Sequence, residues 1–129
     1  MRVLVIDDEP FVRETLGEIL RQQHHEVVVA EDGLSGLAQF RASAFELVMT
    51  DLAMPGMSGW QVAKAVKATR PNVPVVLVTG WGVEVEADEL ERRGVDRVLT
   101  KPFRFEDVQR VVASFRGADA PALRKGDPS

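Results

Sequence analysis

Four short apolar runs in this chain each end on a residue that can bind or neutralise charge. Val3 to Ile6 leads into Asp7 and Asp8, Phe45 to Thr50 into Asp51, Val75 to Val78 into Thr79, and Val95 to Thr100 into Lys101. Amphipathic stretches separate the runs, and β-branched runs alternating with such stretches make repeated βα units around a parallel sheet. Crossovers of this kind are right-handed almost without exception, which leaves few topologies open. In a doubly wound α/β sheet all strands finish on one edge, and ligands bind outside it where the strand order reverses. Three carboxylates, a hydroxyl and an ammonium would share one pocket there, a set that suits a divalent cation and a phosphoryl group.

Five units are expected. The strands read as Val3 to Ile6, Glu26 to Ala30, Phe45 to Thr50, Pro74 to Val78 and Val95 to Leu99. Phe11, Leu16, Ile19 and Leu20 mark a first helix, with Pro10 preset for its opening turn. Leu34, Leu37, Ala38 and Arg41 mark a second, capped by Asp32. Trp60, Ala63, Val66 and Lys67 mark a third, which must stop before Pro71. The fourth carries Glu84, Glu86 and Asp88 early, Arg92 and Arg93 late, and Gly94 at the left-handed cap. Phe105, Val108, Val111, Val112 and Phe115 give the fifth. Residues 117–129 lack apolar periodicity and have tail or linker composition, so the folded domain is expected over 1–116. His24 and His25 are expected as a solvated helix end, Trp60 as half-exposed, and Met54 and Met57 as loop packing.

At 129 residues the chain is one domain, and 45% hydrophobic content is enough for one core. A net charge of −4 argues against direct nucleic-acid binding, because phosphate backbones select basic faces. With no cysteine there is no disulfide framework, thiolate nucleophile or cysteine-zinc site. No signal-peptide pattern or membrane-length apolar stretch is present, so a cytoplasmic location and no membrane partner are expected.

The carboxylates carry the chemistry. Two adjacent aspartates after one strand and a third one strand over cannot all stay ionised at close range without a cation. Mg2+ (or Mn2+) fits, since it prefers oxygen ligands and commonly combines one or two carboxylates with waters and phosphate oxygens. Asp8 and Asp51 would ligate it directly and Asp7 would hold a bound water. Asp51 is followed by an irregular loop, Leu52 to Gly56, whose N–H groups can face an anion. Thr79 and Lys101 supply further donors, and Gly80 permits close backbone approach to a phosphate. Taken alone, Asp7 and Asp8 before Pro10 could equally cap a helix, but capping leaves Asp51 and Lys101 unexplained.

These residues resemble a family. Asp7-Asp8 after the first strand, Asp51-Leu52-Ala53-Met54-Pro55 with Gly59 beyond, Thr79-Gly80 and Lys101-Pro102-Phe103 are similar to the receiver domain of bacterial two-component response regulators, over about residues 2–116. The resemblance implies a flavodoxin-like sheet of order 2-1-3-4-5. It implies a phosphorelay role rather than a conventional enzyme: a phosphoryl group passes from a histidine kinase phosphohistidine, or a histidine phosphotransfer protein, or acetyl phosphate, to Asp51 as an aspartyl phosphate. Asp7 and Asp8 then correspond to the acid pair, the Ala53 carbonyl to a metal ligand, Thr79 to the switch hydroxyl and Lys101 to the phosphate-binding ammonium. The Lys101–Pro102 peptide would be cis. An output partner is implied, as is dimerisation through the face of the fourth helix, fifth strand and fifth helix.

Three positions depart from the pattern. Val98 stands where receivers usually carry the switch aromatic. Ala53 offers no polar side chain near the acceptor, and Trp81 is bulky beside Thr79; together they are expected to shield the acyl phosphate and change its lifetime. A haloacid-dehalogenase-type phosphatase would place its two aspartates one residue apart, and a nucleotide-binding module would need a Gly-rich first turn. Neither matches. A docking module that works without phosphorylation, with Val98 as its sign, is the remaining alternative.

Overall fold

A computed structural model of the chain describes residues 1–119, with only the backbone for 116–119. The elements run β1 (Arg2–Ile6), α1 (Pro10–Gln22), β2 (Glu26–Ala30), α2 (Gly33–Ala42), β3 (Leu47–Asp51), α3 (Gly59–Thr69), β4 (Val75–Thr79), α4 (Ala87–Arg92), β5 (Arg97–Thr100) and α5 (Phe105–Asp119). All strands pair in parallel, in the order β2-β1-β3-β4-β5. The helix α5 passes residue 116, where the folded domain was expected to end, and residues 120–129 of the expected tail lie outside the described residues.

Side-chain alternation explains the two cores. Successive residues of a strand point to opposite faces, so Leu4, Ile6, Val48 and Leu77 pack under α2 and α3 with Phe40 and Val62. Val3, Val5, Met49, Val76 and Val78 pack on the other face with Leu16 and Leu20 of α1 and Val108 and Val112 of α5. The central strands β1, β3 and β4 are covered on both faces, which is why they read as unbroken apolar runs. Register brings their ends level: Ile6 pairs with both Ala30 and Thr50, Asp51 with Val78, and Thr79 with Thr100.

Local signals place the helices. Pro10 occupies the first turn of α1. The Asp32 carboxylate accepts from Ser35 N at 2.8 Å. In α3, Ser58 and Gln61 form a capping box, with Ser58 N donating to Gln61 Oε1 at 2.8 Å.

Several boundaries shift for tertiary reasons. Phe45 precedes β3 instead of starting it; its ring stacks on Phe40 at 6.4 Å, beneath the Arg2 guanidinium. Pro74 has no N–H for the ladder, so β4 starts at Val75, whose N–H donates to the Asp96 side chain at 2.8 Å. That use of Asp96 also delays β5 to Arg97. Gly94 takes the positive φ of a helix cap, and Val95 N bonds back to Leu90 O at 2.9 Å. The fourth helix is shorter than its charge pattern suggests. Glu84 lies outside it and Glu86 is only its N-cap, because Val83 and Val85 after two glycines favour extended backbone.

One expectation is corrected. His24 is exposed with φ of 72°, but His25 is buried, its Nδ1 lying 3.1 Å from the amino terminus of Met1. A histidine at a helix end is pulled inward when the next residue begins a strand. Trp60 is half-buried as expected, under the Arg93 guanidinium at 4.6 Å. Among the described residues no helix is long and apolar enough to cross a membrane.

Candidate functional site

The aligned ends of β1, β3, β4 and β5 bring the four chemistry-bearing runs together. One carboxylate oxygen each from Asp7, Asp8 and Asp51 lie within 4.8 Å of one another. Asp7 and Asp51 are buried and Asp8 is exposed. Lys101 Nζ stands 3.1 Å from Asp51 Oδ1 and 3.9 Å from Asp7 Oδ2. Its backbone is drawn in by β4, with Lys101 N donating to Thr79 O at 2.7 Å, and the following peptide to Pro102 is cis.

Among the described residues two buried side-chain polar atoms have no hydrogen-bond partner, Asp7 Oδ2 and Thr79 Oγ1. Buried polar groups are almost always satisfied, and here both exceptions belong to the strand-end cluster. A hard cation and an anion bound among these groups would satisfy both. The donor set of three carboxylates, one hydroxyl and one ammonium therefore fits a divalent metal with a phosphoryl group.

The titration behaviour follows from burial. Desolvation pushes the Asp7 carboxyl up from 3.8 to about 6, against the Glu9 N–H that its Oδ1 accepts at 2.9 Å, and the nearby Asp51 charge adds to the rise. Desolvation also raises Asp51, with Lys101 opposing it. For Lys101, burial acts to lower the value, but the hydrogen bond to Asp51 and the charges of Asp7 and Asp51 outweigh it and the net direction is up. The ammonium stays charged.

A stability prediction follows. The folded value of Asp7 lies above the unfolded one, so its contribution is fully present below pH 4 and is lost as pH rises toward 6. A displacement from 3.8 to about 6 corresponds to about 3 kcal/mol at most. Metal-free Asp7→Asn should therefore be more stable than the parent at pH 7.5 and show no advantage at pH 4. Urea midpoints in EDTA at the two pH values measure it.

Elsewhere, Asp7 and Asp8 do not cap α1. Its N-cap is Glu9, which makes no side-chain cap bond. A Cβ on Gly80 would meet nothing closer than 4.0 Å, so packing does not demand that glycine. Ala53 is exposed. Trp81 is 84% exposed and lines an apolar groove with Phe11, Val12, Pro102 and Phe103, next to Lys101. Val98 is half-buried and pairs with Leu77. Arg13, which the sequence did not single out, donates from Nη1 to Asp7 O at 2.9 Å. Its signal was a cation near a helix N-terminus, where the dipole disfavours one and where the first turn has no acid.

The sequence model of the response regulator receiver domain matches residues 3–113. The chain belongs to the response regulator receiver family. Receiver domains are signalling modules of two-component phosphorelays, working with sensor kinases and output domains. This receiver domain is 38% identical over 119 residues to the sensory transduction protein RegX3 of Mycolicibacterium smegmatis, covering 91% of the chain and 52% of RegX3. It thus spans about half of that relative. Among solved structures, the chemotaxis response regulator CheY4 of Vibrio cholerae superposes with a TM-score of 0.80 at 27% identity, covering 88% of this chain and 96% of CheY4. The response regulator TrrA of Thermotoga maritima, solved in complex with Mg(2+)-BeF, gives 0.78 at 32% identity, covering 88% and 96%. The five-stranded parallel sheet of order 2-1-3-4-5 is the fold of these neighbours.

Proposed function

We propose that this receiver domain accepts a phosphoryl group on Asp51 and changes its partner interactions in consequence. The observation that carries the reading is the convergence of three carboxylates within 4.8 Å on a lysine 3.1 Å from Asp51. An Asp51 oxygen forms the new O–P bond as the donor's P–N bond breaks, and the released imidazole nitrogen takes up a proton. Asp51 is itself the nucleophile, so no separate general base is required. In the loose transition state of phosphoryl transfer, charge spreads over the equatorial oxygens, and Lys101 is placed to neutralise it. The Thr79 hydroxyl donates to one phosphoryl oxygen, and backbone N–H groups beyond Asp51 and at Gly80 face the others. Asp8, Asp51 and the Ala53 carbonyl would hold Mg2+ (or Mn2+) directly and Asp7 through a water; the ion offsets the crowded negative charge. The solved complex of TrrA with Mg(2+)-BeF supports that choice.

The donor is a sensor histidine kinase or a histidine phosphotransfer protein, in the cytoplasm. The output partner binds the protein directly, without nucleic-acid contact by this domain, and the α4-β5-α5 face is the surface for a homodimer. Ala53 and Trp81 flank the acceptor and set how far water reaches the acyl phosphate. The docking reading, in which no phosphoryl group is taken up, draws on Val98 alone. Labelling with radioactive acetyl phosphate separates the two. Incorporation is expected in Mg2+ and none in EDTA; an unlabelled protein in Mg2+ would favour docking.

A further inference from the structure

We propose that Arg13 is a positioning residue for the metal site, acting through the Asp7–Asp8 peptide; this rests on the reading of the carboxylates as a Mg2+ site. The hydrogen bonds of Asp7 carry the argument. Its N–H donates to Ala30 O at 3.1 Å, and its Oδ1 accepts from Glu9 N at 2.9 Å. Its carbonyl accepts from Arg13 Nη1 at 2.9 Å. Oδ2 alone is left without a hydrogen bond, facing the cluster. Every other polar atom of Asp7 is thus committed to the protein, and only one of those partners is a side chain.

That side chain holds the group that matters for both aspartates. The Asp7 carbonyl belongs to the peptide linking Asp7 to Asp8, so pinning it sets the Asp7 ψ and the Asp8 φ together. Asp8 is exposed and its side chain hydrogen-bonds to no other described residue, so the peptide plane is what aims it. Arg13 can do this because it lies in the opening turns of α1, anchored by Arg13 N donating to Glu9 O at 3.0 Å. Its side chain is only 15% exposed, and the nearest carboxylate, on Glu14, is at 3.9 Å, too far for a hydrogen bond. The guanidinium makes no ion pair with Asp7, Asp8 or Asp51 within 4.0 Å, so its effect is geometric. Partners that orient metal ligands are typically worth 10–100-fold in metal affinity.

The test is calorimetric titration of the intact chain with Mg2+ alone, paired with thermal melts of the metal-free protein. Arg13→Met should weaken Mg2+ binding by about tenfold, while Arg13→Lys, which keeps a donor, should recover most of the loss. Glu14→Gln should leave affinity unchanged. An Arg13→Met protein with a lowered melting temperature but parental affinity overturns the proposal, since a merely structural arginine would give that result. Equal weakening by Glu14→Gln also overturns it, because the cause would then be general charge. If the parent itself takes up no Mg2+, the reading of the site fails and the proposal with it. Parental uptake with an unaltered Arg13→Met refutes the positioning role alone.

Discussion

Asp51→Asn is expected to abolish acyl phosphate formation, lowering label from acetyl phosphate by at least roughly 100-fold, because the amide has no anionic oxygen to attack phosphorus. The substitution is nearly isosteric, and burial already disfavours the charge it removes. The protein therefore stays folded, and loss of label reports lost chemistry. Rapid-quench labelling with hydroxylamine sensitivity as the mark of an acyl phosphate measures it. The competing acceptor is Asp8, which is exposed and shares the cluster. Label persisting in Asp51→Asn and vanishing in a further Asp8→Asn change would move the acceptor to Asp8.

Gly59→Ala should destabilise the fold by about 3 kcal/mol or more, a large share of the reserve of a domain this size. Gly59 opens α3 and donates its N–H to Leu52 O at 2.9 Å. A Cβ there would run into the Asp51 carbonyl, and would lie 2.8 Å from Leu77 Cδ1 and 2.9 Å from Leu52 Cα. Two of those obstacles are backbone and cannot swing aside, so either α3 lifts off or the end of β3 moves. The end of β3 carries Asp51, the proposed phosphoacceptor, so a surviving variant should also bind Mg2+ less tightly. Gly80→Ala is the contrast. It has open space and no positive φ, so its urea midpoint should stay within about 0.5 kcal/mol of the parent. Equal midpoints for the two variants would show that the close approach at Gly59 is relaxed at little cost.

The Arg13 contact and the Gly59 contact share a feature. Each fixes the backbone beside a carboxylate without touching the carboxylate oxygens. Asp7 is held through its carbonyl and Asp51 through the turn that follows it, so the site keeps its shape although its charges repel. Burial raises the values of Asp7 and Asp51, and the neighbouring carboxylate charges add to the rise.

The sequence by itself determined the repeat of five βα units and the residues that end the strands, because strand cores buried on both faces must be apolar and the first polar residue after them marks the edge. It determined the caps at Asp32 and Gly94 by local backbone chemistry alone. Only the tertiary structure decided what depends on neighbours distant in the chain. Phe45 left the strand because Phe40 and Arg2 hold its ring, β5 began late because Asp96 serves Val75, and His25 turned inward beside the amino terminus. The partner of Arg13 was decided there for the same reason, although its charge near the N-terminus of α1 was legible. Residue type and spacing do not tell which main-chain carbonyl a side chain grips, since every residue carries a carbonyl, and only the fold says which one is within reach.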